Sequence, residues 1–185
     1  SNMQIGIIGS GSWATAIVKM LCENLDEVGW YMRSETAKEH ILREQHNPNY
    51  LSSVEFNLDQ LKLSNDINEI VGYADVLVFV IPSAFIHAEL EKINIDFSKK
   101  IIVSAVKGIM PESGLGIGEH FHDIYKIPFK NICVIGGPCH AEEVAMERLS
   151  YLTIACADSD IATEVASKLA CEYIKTNISD DIIGI

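Results

Sequence analysis

Runs of basic residues are missing from this chain. Its 14 Lys and Arg are outnumbered by 26 Asp and Glu, giving a formal net charge of −12 over 185 residues, and no cationic stripe exists to track a phosphate backbone. A nucleic-acid partner is therefore not expected. Long apolar runs are missing too: the longest, residues 76–81, falls far short of the ~20 residues that cross a bilayer, so no membrane span is expected. Cysteine is sparse and unpatterned. Cys22, Cys133, Cys139, Cys156 and Cys171 are odd in number and show no CxxC or Cys/His ligand spacing, which favours reduced thiols over a disulfide framework or zinc. The spacing of His40, His46, His87, His120 and His122 does not predict a metal site either. Ser1-Asn2 ahead of Met3 reads as an expression scar, and Met3-Gln4-Ile5 enters the first strand with no basic n-region or cleavage site, so a cytoplasmic protein is expected.

What is present is a globular composition, 48% hydrophobic and 22% charged with 12 Gly and 5 Pro. The length suits one domain with its own apolar interior. Short Val/Ile-rich runs alternate with segments whose apolar residues recur at helical spacing, the signature of parallel strands fed by crossover helices. Strands are predicted over 4–8, 27–32, 76–81, 101–104, 132–135, 152–155 and 173–176. Helices are predicted over 13–24, 35–45, 67–71, 85–92, 115–124, 140–147 and 161–170. Several strands are apolar on both faces, as a sheet covered on both sides requires. The expected fold is a Rossmann-like, doubly wound α/β domain over residues 3–185, with a mostly parallel sheet and helices on both faces. Residues 46–61 are polar with weak periodicity and read as a surface excursion.

The first strand runs into Gly9-Ser10-Gly11-Ser12-Trp13-Ala14 and then a helical pattern. This order matches the Gly-x-Gly-x-x-Gly/Ala dinucleotide fingerprint. Gly9 suits the tight turn, Gly11 the approach of a pyrophosphate, and Ala14 the packing of helix on sheet. The backbone N–H groups of Ser12 and Trp13 would face the anion at the positive helix end. About 20 residues on, where an acidic residue usually binds the ribose of NAD, the chain reads Tyr31-Met32-Arg33-Ser34. Arg33 beside a serine suits a 2′-phosphate, so NADP is favoured or accepted alongside NAD, with Glu35 as the alternative ribose contact.

Three more strand ends carry candidates. Pro82-Ser83-Ala84-Phe85 turns the chain after 76–81, at the edge where open α/β sheets bind ligands; Phe85 either leans on the cofactor or packs in the interior. Ala105-Val106-Lys107-Gly108 would bring a cation beside the nicotinamide, the alternative being a solvated loop lysine. Gly136-Gly137-Pro138-Cys139-His140-Ala141 offers a second set of backbone donors before a helix. Cys139 stands near that helix start, where a thiol pKa can fall. With no partner base beside it, a packing or substrate-lining role is expected over covalent catalysis.

The ordered set GSGSWATA, VGWYMR, HNPNYL, VFVIPSAFI, SAVKGI, GGPCHAEEVA and TNISDDIIGI resembles the bacterial-type NAD(P)-dependent glycerol-3-phosphate dehydrogenases over residues 3–185. The resemblance implies interconversion of sn-glycerol 3-phosphate and dihydroxyacetone phosphate by hydride transfer, serving phospholipid synthesis. It implies cofactor contacts from Ser12, Trp13, Arg33, Phe85, Lys107 and Ala141, and substrate contacts from Lys107, Gly137 and Cys139. Lys107 takes the catalytic role at the developing alkoxide. At position 139 the family usually has Ser, Thr or Asn, so the thiol is a departure. The resemblance also implies a further helical domain carrying a proton-transferring lysine and an Arg-Asn phosphate grip, a homodimeric full-length protein, and an isolated 185-residue chain that binds cofactor with negligible turnover. Alternatives are another dehydrogenase on the same domain (nucleotide-sugar, 3-hydroxyacyl-CoA or 6-phosphogluconate type) or a non-catalytic nucleotide-binding module.

Overall fold

A computed structural model describes residues 3–106 and 108–181. Its first strand, β1 (Ile5–Ile8), leads into α1 (Ser12–Cys22), β2 (Val28–Tyr31) and α2 (Glu35–Glu44). Then come β3 (Leu61–Ser64), α3 (Ile67–Tyr73), β4 (Val76–Phe79), α4 (Ser83–Leu90) and β5 (Ile101–Ser104). The chain continues through α5 (Ile117–Tyr125), β6 (Ile132–Gly136), α6 (Ala141–Ala145), β7 (Ser150–Cys156), α7 (Ser159–Leu169) and β8 (Ile174–Ser179). These strands make one sheet in the order β3-β2-β1-β4-β5-β6-β7-β8. All neighbours are parallel except β6 and β7. The chain winds outward from β1 in both directions, so the crossovers split between β1 and β4, and the crevice at their carboxyl ends is the ligand position of such a sheet.

Alternation along the central strands explains why both faces are covered. Ile5, Ile7, Val76, Val78 and Val103 join one buried cluster with α1 and α7. Ile8, Leu77, Phe79 and Ile102 point the other way, into a second cluster with α3, α4 and α5. Side chains of period two thus feed two cores from one strand.

Each of the seven predicted strands is found, the one over 101–104 with its ends unchanged and the other six with shifted ends. One strand was not predicted: β3, sequence Leu-Lys-Leu-Ser, is a four-residue edge strand whose first three residues are only half-buried. Its short run lacks the apolar signal of the interior strands. The surface reading of 46–61 is also corrected. Val54 and Phe56 are buried, and Phe56 meets the Trp30 ring edge-on at 5.4 Å between centroids, so two apolar side chains pin this polar segment to the core. The helix predicted over 140–147 contracts to five residues.

Polar burial in the second core makes a pH prediction. His120 is 3% exposed; its Nδ1 lies 3.1 Å from Ser113 Oγ, and its Nε2 is buried with no partner among the described residues. Desolvation first, then the charge of His87, push the imidazole pKa down from its ordinary value, against a smaller opposing pull from Glu112. The unfolded chain therefore binds the proton more readily, and folded stability falls as pH drops below about 6.5, levelling off once the depressed folded pKa has been passed. Thermal unfolding between pH 7.5 and 5 should reveal this loss, and His120→Phe, beside Phe121 and Tyr125, should flatten it. An unchanged pH slope in that variant would remove His120 from the account.

Candidate functional site

The site begins in the three residues between β1 and α1. Gly9 holds φ +132°, and a Cβ there would strike the carbonyl of Val80, so the turn needs glycine on both conformational and steric grounds. The carbonyls of this loop are each held by the protein. Trp30 Nε1 on β2 donates to Gly9 O at 2.7 Å. Asn47 Nδ2 donates to Ser10 O at 3.1 Å, and Thr15 donates to Gly11 O through its hydroxyl at 2.7 Å and its backbone N–H at 3.0 Å. Asn47 Nδ2 also donates to Thr15 Oγ1 at 3.0 Å, which joins the second and third clamps.

With all three carbonyls engaged by protein donors, the loop presents the opposite polarity at the helix start. Gly11 is the N-cap and supplies no side-chain acceptor, while the N–H groups that open a helix have no intrahelical partner. A Cβ on Gly11 would meet nothing within 4 Å. The residue is therefore small without any internal crowding to require it, which is the condition for an anion to approach the Ser12 and Trp13 amides. Ala14, as expected, is fully buried beneath them.

Register brings the other strand ends to the same level. Ile8 pairs with Tyr31 and Phe79, Phe79 with Ser104, and Ser104 with Val134. Arg33 comes after β2 and is exposed; next to it Ser34 caps α2, its side chain accepting from the Ala37 N–H at 3.1 Å. Phe85, in the first turn of α4, is 61% exposed, so the ring does not pack in the interior of this domain. After β5, Ser104 Oγ donates to Val106 O at 2.8 Å, shaping the turn toward Lys107, which itself lies outside the described residues.

A cavity of about 340 Å³ joins the α1 start to the turn after β6, with Ser12, Trp13, Gly137, Cys139 and Ala141 in its walls. Five of the expected contacts thus share one groove, whereas neither Arg33 nor Phe85 lines it. Gly137 has φ +121°, and a Cβ there would sit 3.0 Å from Tyr151 O, because β7 returns antiparallel beside it. Cys139 corrects the expectation of a lowered thiol pKa. Burial pushes its pKa up, and Glu143 adds to this, against a weaker lowering by a hydrogen bond with Ser150. The helix behind it is too short to offset desolvation,. A thiol held protonated can donate to or line a ligand but is a poor nucleophile.

The motif reading missed the residues that aim this loop. Trp30, Thr15 and Asn47 carry no ligand-type spacing, and Asn47 sits in the segment read as an excursion. It is 2% exposed, and its Oδ1 accepts from the Asn49 and Tyr50 N–H groups at 3.0 and 3.3 Å. All three residues fall within the family-resembling segments GSGSWATA, VGWYMR and HNPNYL, but that gave them no role, and the Asn-Pro pair after a helix predicts a turn rather than a clamp.

Strand order, glycine loop and open helix start together define a Rossmann-like dinucleotide-binding domain. Residues 4–162 match the family model for the NAD-dependent glycerol-3-phosphate dehydrogenase N-terminus. The chain belongs to that family. It is 32% identical over 187 residues to the glycerol-3-phosphate dehydrogenase [NAD(P)+] of Lysinibacillus sphaericus, an alignment taking in 98% of this chain and 54% of that protein. A similar relative from Syntrophotalea carbinolica is 30% identical, over 99% of this chain and 55% of its own length. The chain thus spans about half the length of the curated relatives it matches. Among solved structures, Plasmodium falciparum glycerol-3-phosphate dehydrogenase superimposes with a TM-score of 0.85 at 25% identity, covering 99% of this chain and 54% of that one. An imine reductase from Myxococcus stipitatus, at 11% identity and TM-score 0.63, shares the fold alone.

Proposed function

We propose that this chain is the cofactor-binding part of an NAD(P)-dependent glycerol-3-phosphate dehydrogenase, interconverting sn-glycerol 3-phosphate and dihydroxyacetone phosphate when joined to a substrate-gripping helical domain. The observation that carries the reading is the glycine loop, whose three carbonyls are tied to Trp30, Asn47 and Thr15 beside an uncapped helix start. When bound, the nicotinamide cofactor supplies hydride transfer to or from the substrate carbon. Ser12 and Trp13 hold its pyrophosphate through backbone N–H groups, and Arg33 takes a 2′-phosphate on the ribose. Phe85 and Ala141 bound the space in which the nicotinamide end is oriented. Lys107 stabilises negative charge on the reacting oxygen, and Gly137 and Cys139 line the substrate. In this reading residues 3–185 are one domain, and the full-length enzyme is a cytoplasmic homodimer. Among the described residues no helix is long and apolar enough to cross a membrane.

Titration of the chain with NADPH and NADH, monitored by protein fluorescence, tests the assignment. Gly11→Ala should keep the fold, since its Cβ enters open space, yet weaken both cofactors by about tenfold or more, equivalent to about 1.4 kcal/mol. Arg33→Ala should weaken NADPH selectively. Unaltered affinity in Gly11→Ala would refute the pyrophosphate site, and equal weakening of both cofactors in Arg33→Ala would refute the 2′-phosphate role. Dihydroxyacetone phosphate reduction by the isolated chain at a full enzyme's rate would overturn the division of labour between domains.

A further inference from the structure

We infer that Cys133 and Cys156 are a peroxide-reactive thiol pair, converted on oxidation to a disulfide that locks β6 to β7. The register sets the two residues directly opposite each other across the antiparallel join of these strands, at the end of β6 remote from Gly137. Opposite residues of an antiparallel pair have Cα atoms about 4.5 or 5.5 Å apart, according to whether they exchange hydrogen bonds. Both separations lie within the roughly 4.4–6.8 Å that a disulfide spans. Both side chains enter the same buried cluster with α1 and α7, both are free thiols in the structure, and they are hydrogen-bonded to each other. Sulfur meets sulfur with the strands where they stand.

Their surroundings divide the roles. The mutual hydrogen bond, with burial adding to it, raises the pKa of Cys133. The same bond lowers the pKa of Cys156, helped by the Asp158 N–H against desolvation and the Asp158 charge. Cys156 is therefore the nucleophile and Cys133 the resolving thiol, still holding its proton. Burial pushes the thiols of Cys22 and Cys139 up instead. Cys156 is 1% exposed, but its cover is thin. It is the last residue of β7, followed by the exposed Ala157, and as a neutral thiol it donates at 3.4 Å to the carbonyl of the exposed Lys130. A small oxidant, hydrogen peroxide, suits that cover.

The Cys156 thiolate attacks one peroxide oxygen; an S–O bond forms, the O–O bond breaks, and the departing hydroxide takes up the proton that the thiol released, giving water and a sulfenic acid. Cys133 then attacks the sulfenic sulfur. The S–S bond forms, the S–O bond breaks, and the Cys133 proton leaves with the hydroxyl as a second water. Two thiols are oxidised and one peroxide is reduced. The bond closes residues 134–155, which carry Gly137, Cys139 and Ala141, into a loop,. It also fastens β7 and β8, beyond the antiparallel join, to the parallel part of the sheet. The inference does not depend on the cofactor assignment.

Peptide mapping by mass spectrometry under non-reducing conditions tests the pair, after the folded 185-residue chain is treated with one equivalent of hydrogen peroxide near neutral pH. A Cys133–Cys156 linkage is expected. Thiols titrated in denaturant should fall by two, and Tm should rise by about 5–10 °C, both reversed by dithiothreitol. Cys133→Ala should leave a sulfenic acid on Cys156 that dimedone labels, while mapping of the unaltered chain answers whether or not that variant folds. No linkage in a chain still folded by circular dichroism, a linkage between other cysteines, or one formed only after unfolding in denaturant would each overturn the inference.

Discussion

Gly9→Ala should leave the chain unfolded or nearly so, with the cooperative thermal transition lost or shifted down by more than about 8 °C. Two penalties act together. The backbone sits at φ +132°, where an L side chain is strained, and the new Cβ would overlap the carbonyl of Val80, just past the end of the adjoining strand β4. Neither can relax alone. Gly9 N–H donates to Tyr31 O at 3.2 Å and Gly9 O accepts from the buried Trp30 indole, so rotation of either peptide breaks a bond to β2. The combined cost is about 3 kcal/mol or more, a large share of the ~5–15 kcal/mol that holds a domain together. Calorimetry or circular dichroism melting decides it. A variant that melts within about 2 °C of the parent would mean the loop has another conformation, and the proposed anion site would fail with it.

Asn47 should show the second large effect, and two substitutions separate its structural and ligand-directed parts. Asn47→Leu strips the Ser10 carbonyl of its donor and the Asn49 and Tyr50 amides of their acceptor. These groups lie against a side chain only 2% exposed, so about 2–4 kcal/mol is expected, seen as a Tm lower by roughly 5–15 °C. Asn47→Asp retains the oxygen that accepts from Asn49 and Tyr50 but cannot donate to Ser10 O. Its fold should survive better, while NADPH affinity falls at least tenfold, because the loop carbonyl is released and a carboxylate now stands behind a pyrophosphate site. Full affinity in a folded Asn47→Asp protein would show that the carbonyl clamp does not aim the amides.

Particular elements show how far the linear pattern reached. Strands such as Val76–Phe79 and Ile101–Ser104 declared themselves because both faces are buried and nearly every residue had to be apolar. The glycine fingerprint was equally legible, since turn and helix start demand small residues at fixed offsets. β3 was not, for an edge strand of Leu-Lys-Leu-Ser needs no continuous apolar run. Nor was the burial of Val54 and Phe56, isolated apolar residues in a polar stretch whose value depends on the Trp30 surface they meet. Cys139 illustrates a chemical limit of the same kind. Proximity to a helix start argued for a lowered thiol pKa, but the balance went to desolvation, a quantity set by everything packed around the sulfur.

By itself the sequence determined the class of fold, the order of its elements and the place of the dinucleotide loop, because these depend on periodicity and on local turn chemistry carried by neighbouring residues. Only the tertiary structure decided which way the loop's amides face. That orientation comes from Trp30 and Asn47, 21 and 37 residues away from the carbonyls they hold, and a hydrogen bond across such a separation exists only once the sheet has brought its two ends together.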